Sequence, residues 1–146
     1  MHRVLAQRGR LALSVYSPIE RTPAAHAFVR ALDERLGPDA SKIKRAEHLF
    51  SDPGEVASLL TDAGFARVNV STVTKQITFP SALDYVRFQL IATPMASLLS
   101  ARTDTERESD ILEIAASTQS FLVPEMLEGG RLSFPQEAYV ATAVRA

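Results

Sequence analysis

Apolar and small residues alternate over the first patterned stretch of the chain. Leu11, Leu13 and Val15 are separated by Ala12 and Ser14. Even the intervening side chains are small enough to pack, so the pattern predicts a strand covered on both faces, a central strand. Upstream, Arg3-Val4-Leu5 reads as the last turn of a helix that stops at Gly9. The chain starts only about one helical turn before the strand, so what precedes such a helix in an ordinary α/β unit is missing.

The period then becomes helical. Thr22-Pro23 supplies an N-cap and a proline at the first helical position, and Ala24, Phe28, Ala31, Leu32 and Leu36 follow at helical spacing up to the stop at Gly37-Pro38. Residues 39–50 fit a short helix or an ordered loop equally well. Asp52-Pro53-Gly54-Glu55 is a capping pattern, opening a helix with Val56, Leu59 and Leu60 inward; it stops at Gly64, with Phe65 folded back on its last turn. Over residues 67–79 the period returns to two. Val68, Val70 and Thr72 share one face, while Val73, Ile77 and Phe79 continue on the other, which predicts a bulge or bend near Thr72.

Ser81 and Asp84 cap a further helix through Tyr85, Val86, Leu90 and Ile91, and Thr93-Pro94 restarts it as a second piece. Thr103 and Glu106 open another, with Ile111, Leu112, Ala115 and Leu122 as its apolar side. After a turn at Gly129-Gly130, residues 131–134 and 138–144 read as strand interrupted by Pro135. The result is an α/β fold with about three strands in a mixed sheet and about five helices. We expect one domain, residues 1–146, in which residues 81–123 form a helical insertion.

Composition narrows the chemistry. The formal net charge is -1 and cysteine is absent, which excludes disulfides, thiolate nucleophiles and zinc-thiolate sites. Such a charge gives no global attraction to nucleic acid or an anionic membrane. His2, His26 and His48 are scattered, poor material for a metal cluster. No apolar run approaches the ~18 residues of a membrane span, and the N-terminus has no apolar signal segment. The expectation is a soluble, cytoplasmic protein without nucleic-acid or membrane partners.

Several of these stretches resemble a known family. Arg3-Val4-Leu5 followed by Gly9-Arg10-Leu11-Ala12-Leu13-Ser14-Val15-Tyr16-Ser17 is similar to the fifth strand, and the helix end before it, of class I S-adenosylmethionine-dependent methyltransferases. Leu59-Leu60, Ala63-Gly64-Phe65 and Val68 with Val70 resemble that family's helix and sixth strand. Residues 131–143 resemble its terminal seventh strand. The resemblance spans the chain but reaches only the C-terminal half of that Rossmann-like fold. Two departures stand out. Gln7-Arg8-Gly9 replaces a Pro-Gly-Gly type turn, keeping only the glycine for a left-handed conformation, and the six glycines never form a Gly-x-Gly. The family's cofactor loop and acidic ribose ligand therefore have no counterpart here.

The resemblance implies a methyltransferase-like protein, truncated or split and inactive alone, with no cofactor of its own and S-adenosylmethionine only if an N-terminal half completes it. Candidate acceptor contacts are Tyr16 and Ser17, beyond the carboxyl end of a strand, His26 as a base, and Tyr85 with Arg87 in the insertion. His48 beside Glu47 reads more often as a surface histidine, and the basic residues Lys42, Lys44 and Arg45 more often as a solvated face than as a phosphate site. No catalytic triad, carboxylate pair or metal spacing emerges. The alternative is a small non-enzymatic domain that self-associates, as a homodimer for instance, or binds a partner chain through the open edge of the first strand.

Overall fold

The computed structural model describes residues 1–50 and 52–146. The fold is α/β. Strands β1 (Arg10–Tyr16), β2 (Phe65–Phe79) and β3 (Leu132–Arg145) form a three-stranded sheet in the order β1-β3-β2. The α-helices among the described residues are α1 (Pro23–Leu36), α2 (Lys42–Ala46), α3 (Pro53–Asp62), α4 (Ala82–Ala92) and α5 (Asp104–Ser120), with a 3-10 segment at Pro94–Leu99. The predicted helix end at residues 3–5 is a short 3-10 turn, His2–Val4.

β3 is antiparallel to β1, pairing Leu13 with Ala141 and Tyr16 with Ala138. It is antiparallel to β2 as well, since Ser71 Oγ donates to the Val140 carbonyl while Gln76 Nε2 donates to Ser133 Oγ. The strand that closes the sequence is thus the central one, and β1 and β2 run parallel to each other as its two edges. β1 is not the covered central strand its pattern predicts. Arg10, Ala12, Ser14 and Tyr16 are exposed, and Leu11, Leu13 and Val15 only half-buried. Small residues at Ala12 and Ser14 would suit burial, but no element among the described residues covers them.

The chain divides into two compact units. One comprises residues 1–18, 47–75 and 137–146, the other residues 19–46 and 76–136. The first has its core in Val56, Leu60, Phe65, Tyr139, Ala141 and Ala143. The second is larger and packs α1, α4 and α5 around Phe28, Leu32, Leu90, Ile114, Leu132 and Phe134. β2 and β3 contribute to both, and each exchanges its inward parity on the way. In β2 the half-buried residues are Val68 and Val70, then Val73, Ile77 and Phe79, with Ser71 and Thr72 both exposed at the change. The slip predicted near Thr72 is there. In β3 the buried set passes from Leu132 and Phe134 to Tyr139, Ala141 and Ala143 across Pro135, whose missing N–H a regular central ladder would not tolerate.

Helix boundaries follow local chemistry. Proline occupies the first turn of α1 and α3; Asp52 Oδ1, Ser81 Oγ and Thr103 Oγ1 each accept an N–H at the start of α3, α4 and α5. Thr22 caps α1 without such a bond, because its Oγ1 accepts from Gln136 Nε2 at 3.0 Å instead. Three predicted inward positions differ: Leu59, Ile91 and Leu112 are exposed, and on α5 Ile114 takes the buried role. No helix among the described residues is long and apolar enough to cross a membrane.

The N-terminal turn departs from expectation in a specific way. Its left-handed residue is Arg8, at φ 62°, and Gly9 is required for another reason: a Cβ there would stand 2.7 Å from the Ala6 carbonyl oxygen. The only other non-glycine residue with positive φ among those described is Arg67, at 52°.

Candidate functional site

The carboxyl end of β1 gathers the best-defined polar group of the first unit. Ser17 is fully buried; its N–H and Oγ both reach the Glu137 carbonyl, at 3.4 and 3.2 Å. That leaves the Ser17 carbonyl for His48, whose Nδ1 lies 2.7 Å away. A carbonyl only accepts, so Nδ1 carries the hydrogen of this bond. The His48 ring is buried and stacks on Tyr16, with centroids 5.0 Å apart and planes within 18°. Beside this cluster an apolar groove of about 270 Å³ is lined by Leu13, Val15, Phe50, Val56, Leu60 and Phe65 among others.

Tyr16 and Ser17 therefore come together, with His48 added. The remaining candidates lie in the second unit. His26 is half-buried on α1. Tyr85 is buried in an aromatic cluster, 5.9 Å from Phe28, 5.1 Å from Phe79 and 5.5 Å from Phe134 between ring centroids. Arg87 pairs bidentately with Glu108, Nη1 to Oε2 at 2.7 Å and Nη2 to Oε1 at 2.6 Å. The hydrogen bonds of this pair raise the arginine pKa further and hold the glutamate below the usual carboxylate range. Tyr85 and Arg87 thus sit in a core and an ion pair, on one helix.

Of the basic residues of α2, Lys42 and Arg45 are exposed, as a solvated face would have them, and only Lys44 is buried. Lys42 pairs with Asp39 at 2.9 Å, and Arg45 reaches Asp33 and Ser41 Oγ. No group of three or more histidine, aspartate or glutamate side chains among the described residues is placed to hold a metal.

Phosphate- and nucleotide-binding turns of Rossmann-like folds place glycines between a strand and a helix N-terminus. Here Gly64 follows α3, Gly129 and Gly130 precede β3, and Gly37 ends α1. None joins the end of a strand to the start of a helix. Compared with known proteins, the chain matches no protein-family model and no curated protein.

Proposed function

We propose that this chain is the acceptor-side, C-terminal region of a class I S-adenosylmethionine-dependent methyltransferase, inactive alone and completed by a cytoplasmic chain that supplies the cofactor-binding half. The observation that carries the reading is the strand order. Each neighbouring pair is antiparallel, so the sheet is not the mixed one the sequence predicts, yet β1 and β2, which resemble the fifth and sixth strands, point the same way on either side of β3. β1 also ends the sheet where a fourth strand would continue it. In this reading Tyr16 and Ser17 contact a small-molecule acceptor at the carboxyl end of β1. His48 orients it, and the groove under Leu13 and Val15 is covered by the completing half. His26, Tyr85 and Arg87 remain candidates for shaping the acceptor side.

The test is a calorimetric titration with S-adenosylmethionine, on the chain alone and on the chain mixed with an N-terminal methyltransferase half that carries a glycine-rich loop. We expect no binding by the chain alone and micromolar binding by the mixture, accompanied by slowed hydrogen exchange at the Ala12 and Ser14 amides. Micromolar binding by the chain alone, or a mixture that neither binds nor protects those amides, overturns the reading. A second reading, self-association through β1, is favoured by the lack of any charged residue between Arg10 and Tyr16 on that edge. A concentration-dependent dimer in light scattering, lost when the edge is blocked, would support it.

A further inference from the structure

The amino end of β1 lies opposite the Tyr16 cluster, six residues back along the strand, roughly 20 Å away at the usual rise. Here the start of β1, the start of β2 and the end of β3 converge. Each contributes arginine: Arg8 and Arg10 at β1, Arg67 at β2, Arg145 at β3. Together with Gln7, Ala66, Val144 and the last residue of the chain, Ala146, they line a cleft of about 570 Å³. A neighbouring cleft of about 440 Å³ shares Arg10 and Arg67 with it. No aspartate or glutamate lines either one.

Arg145 is committed, since its Nη1 donates to the Leu5 carbonyl. The guanidinium groups of Arg8, Arg10 and Arg67 make no hydrogen bond or ion pair with the described residues. This contrasts with the second unit, where Arg35, Arg45, Arg87, Arg102 and Arg107 all lie within ion-pair distance of carboxylates. Three like charges held around one concavity repel each other and raise the local positive potential, which is relieved when an anion enters.

The backbone carries a second, independent signal. Among the described residues, the two of positive φ that are not glycine are Arg8 and Arg67, and both line this cleft. In that conformation glycine is the inexpensive choice and an unbranched residue with a Cβ is uncommon. Local strain of this kind concentrates where a side chain must be aimed. An arginine at both places makes sense if the guanidinium is wanted more than the relaxed turn.

We propose that this cleft is an anion site for an oligophosphate, a small molecule bearing a di- or triphosphate. Arg8, Arg10 and Arg67 are its ligands. Guanidinium forks match phosphate oxygens bidentately, three of them balance the charge of a triphosphate better than that of a monoanion, and the volume lies in the range of small-molecule sites. The convergence of three arginines at one end of three strands, in a chain of net charge -1, favours a compact ligand over a nucleic-acid backbone.

The test is calorimetric titration with inorganic tripolyphosphate, orthophosphate and a short RNA duplex, on the full chain and on Arg8→Gly, Arg67→Gly and Arg10→Gln. Tripolyphosphate should bind at micromolar concentration, at least tenfold tighter than orthophosphate, and weaken steeply with salt. Each glycine variant should lose at least tenfold in affinity while its thermal midpoint holds or rises, because glycine relaxes the left-handed backbone. Arg10→Gln, at an exposed strand position without that strain, should lose affinity similarly and guards against a misfolded variant. The proposal is overturned if tripolyphosphate binds no tighter than orthophosphate, if the variants bind as well as the parent chain, or if the duplex outcompetes tripolyphosphate.

Discussion

Thr103 and Glu106 show what a sequence reveals at the scale of single residues. Thr103 Oγ1 accepts the Glu106 N–H at 3.3 Å, while Glu106 Oε2 accepts the Thr103 N–H at 2.8 Å. The backbone hydrogen bond, then the hydroxyl of Thr103, hold the Glu106 carboxyl below the usual range. A carboxylate whose folded-state pKa is depressed stabilises the fold above its unfolded pKa, and that stabilisation disappears as pH falls through the folded value. Glu106→Gln should therefore lower stability at neutral pH and flatten the acid limb of a pH-stability curve measured by denaturant melts. A parent and variant with parallel acid limbs would count against this account. The capping pair was legible because it lies within one turn. His48 was not legible as a partner of Ser17, because the carbonyl it bonds lies 31 residues away in sequence and backbone acceptors leave no mark on composition. Arg8 was equally hidden, since the neighbouring glycine attracts the left-handed assignment.

At the scale of elements, period and caps located all three strands and the longer helices, and even the change of parity near Thr72. What they missed was order. Alternation in β1 shows that Leu11, Leu13 and Val15 share a face, but not whether anything covers Ala12 and Ser14. In the antiparallel ladder with β3 the odd residues exchange backbone bonds, as the Arg145 N–H to Gly9 carbonyl bond at 2.8 Å and the Ser17 bond to Glu137 mark at its two ends. The amides of Ala12 and Ser14 point away from β3, without a backbone partner among the described residues. Proline separates the two sides of the strand. Leu13→Pro removes a ladder bond to Ala141 and should cost about 3 kcal/mol, whereas Ser14→Pro removes none and should cost about 1 kcal/mol. Urea melts check the difference, and Ser14→Pro should also abolish any association through β1. Equal costs would mean that the outer edge is already paired.

At the scale of the whole molecule, hydrophobic pattern and length correctly implied an α/β chain with a real core. They could not show two cores, because β2 and β3 each read as a single strand. The apolar residues that serve one core and then the other follow one another without a break in sequence, and only the parity change marks the passage. Composition also bears on how the molecule behaves in solution. The sequence isoelectric point is about 6.3, so near that pH little net repulsion keeps copies apart. A proline-free strand with no charge between Arg10 and Tyr16 and one side of its backbone open is then a template for disordered growth as readily as for a specific partner. Purified chain should precipitate fastest near its isoelectric point, with a lag that shortens as concentration rises and lengthens in Ser14→Pro, as turbidity traces would record. If the variant precipitates on the same schedule, growth starts elsewhere. In the proposed reading, pairing of β1 with a completing chain is then a race against pairing between copies.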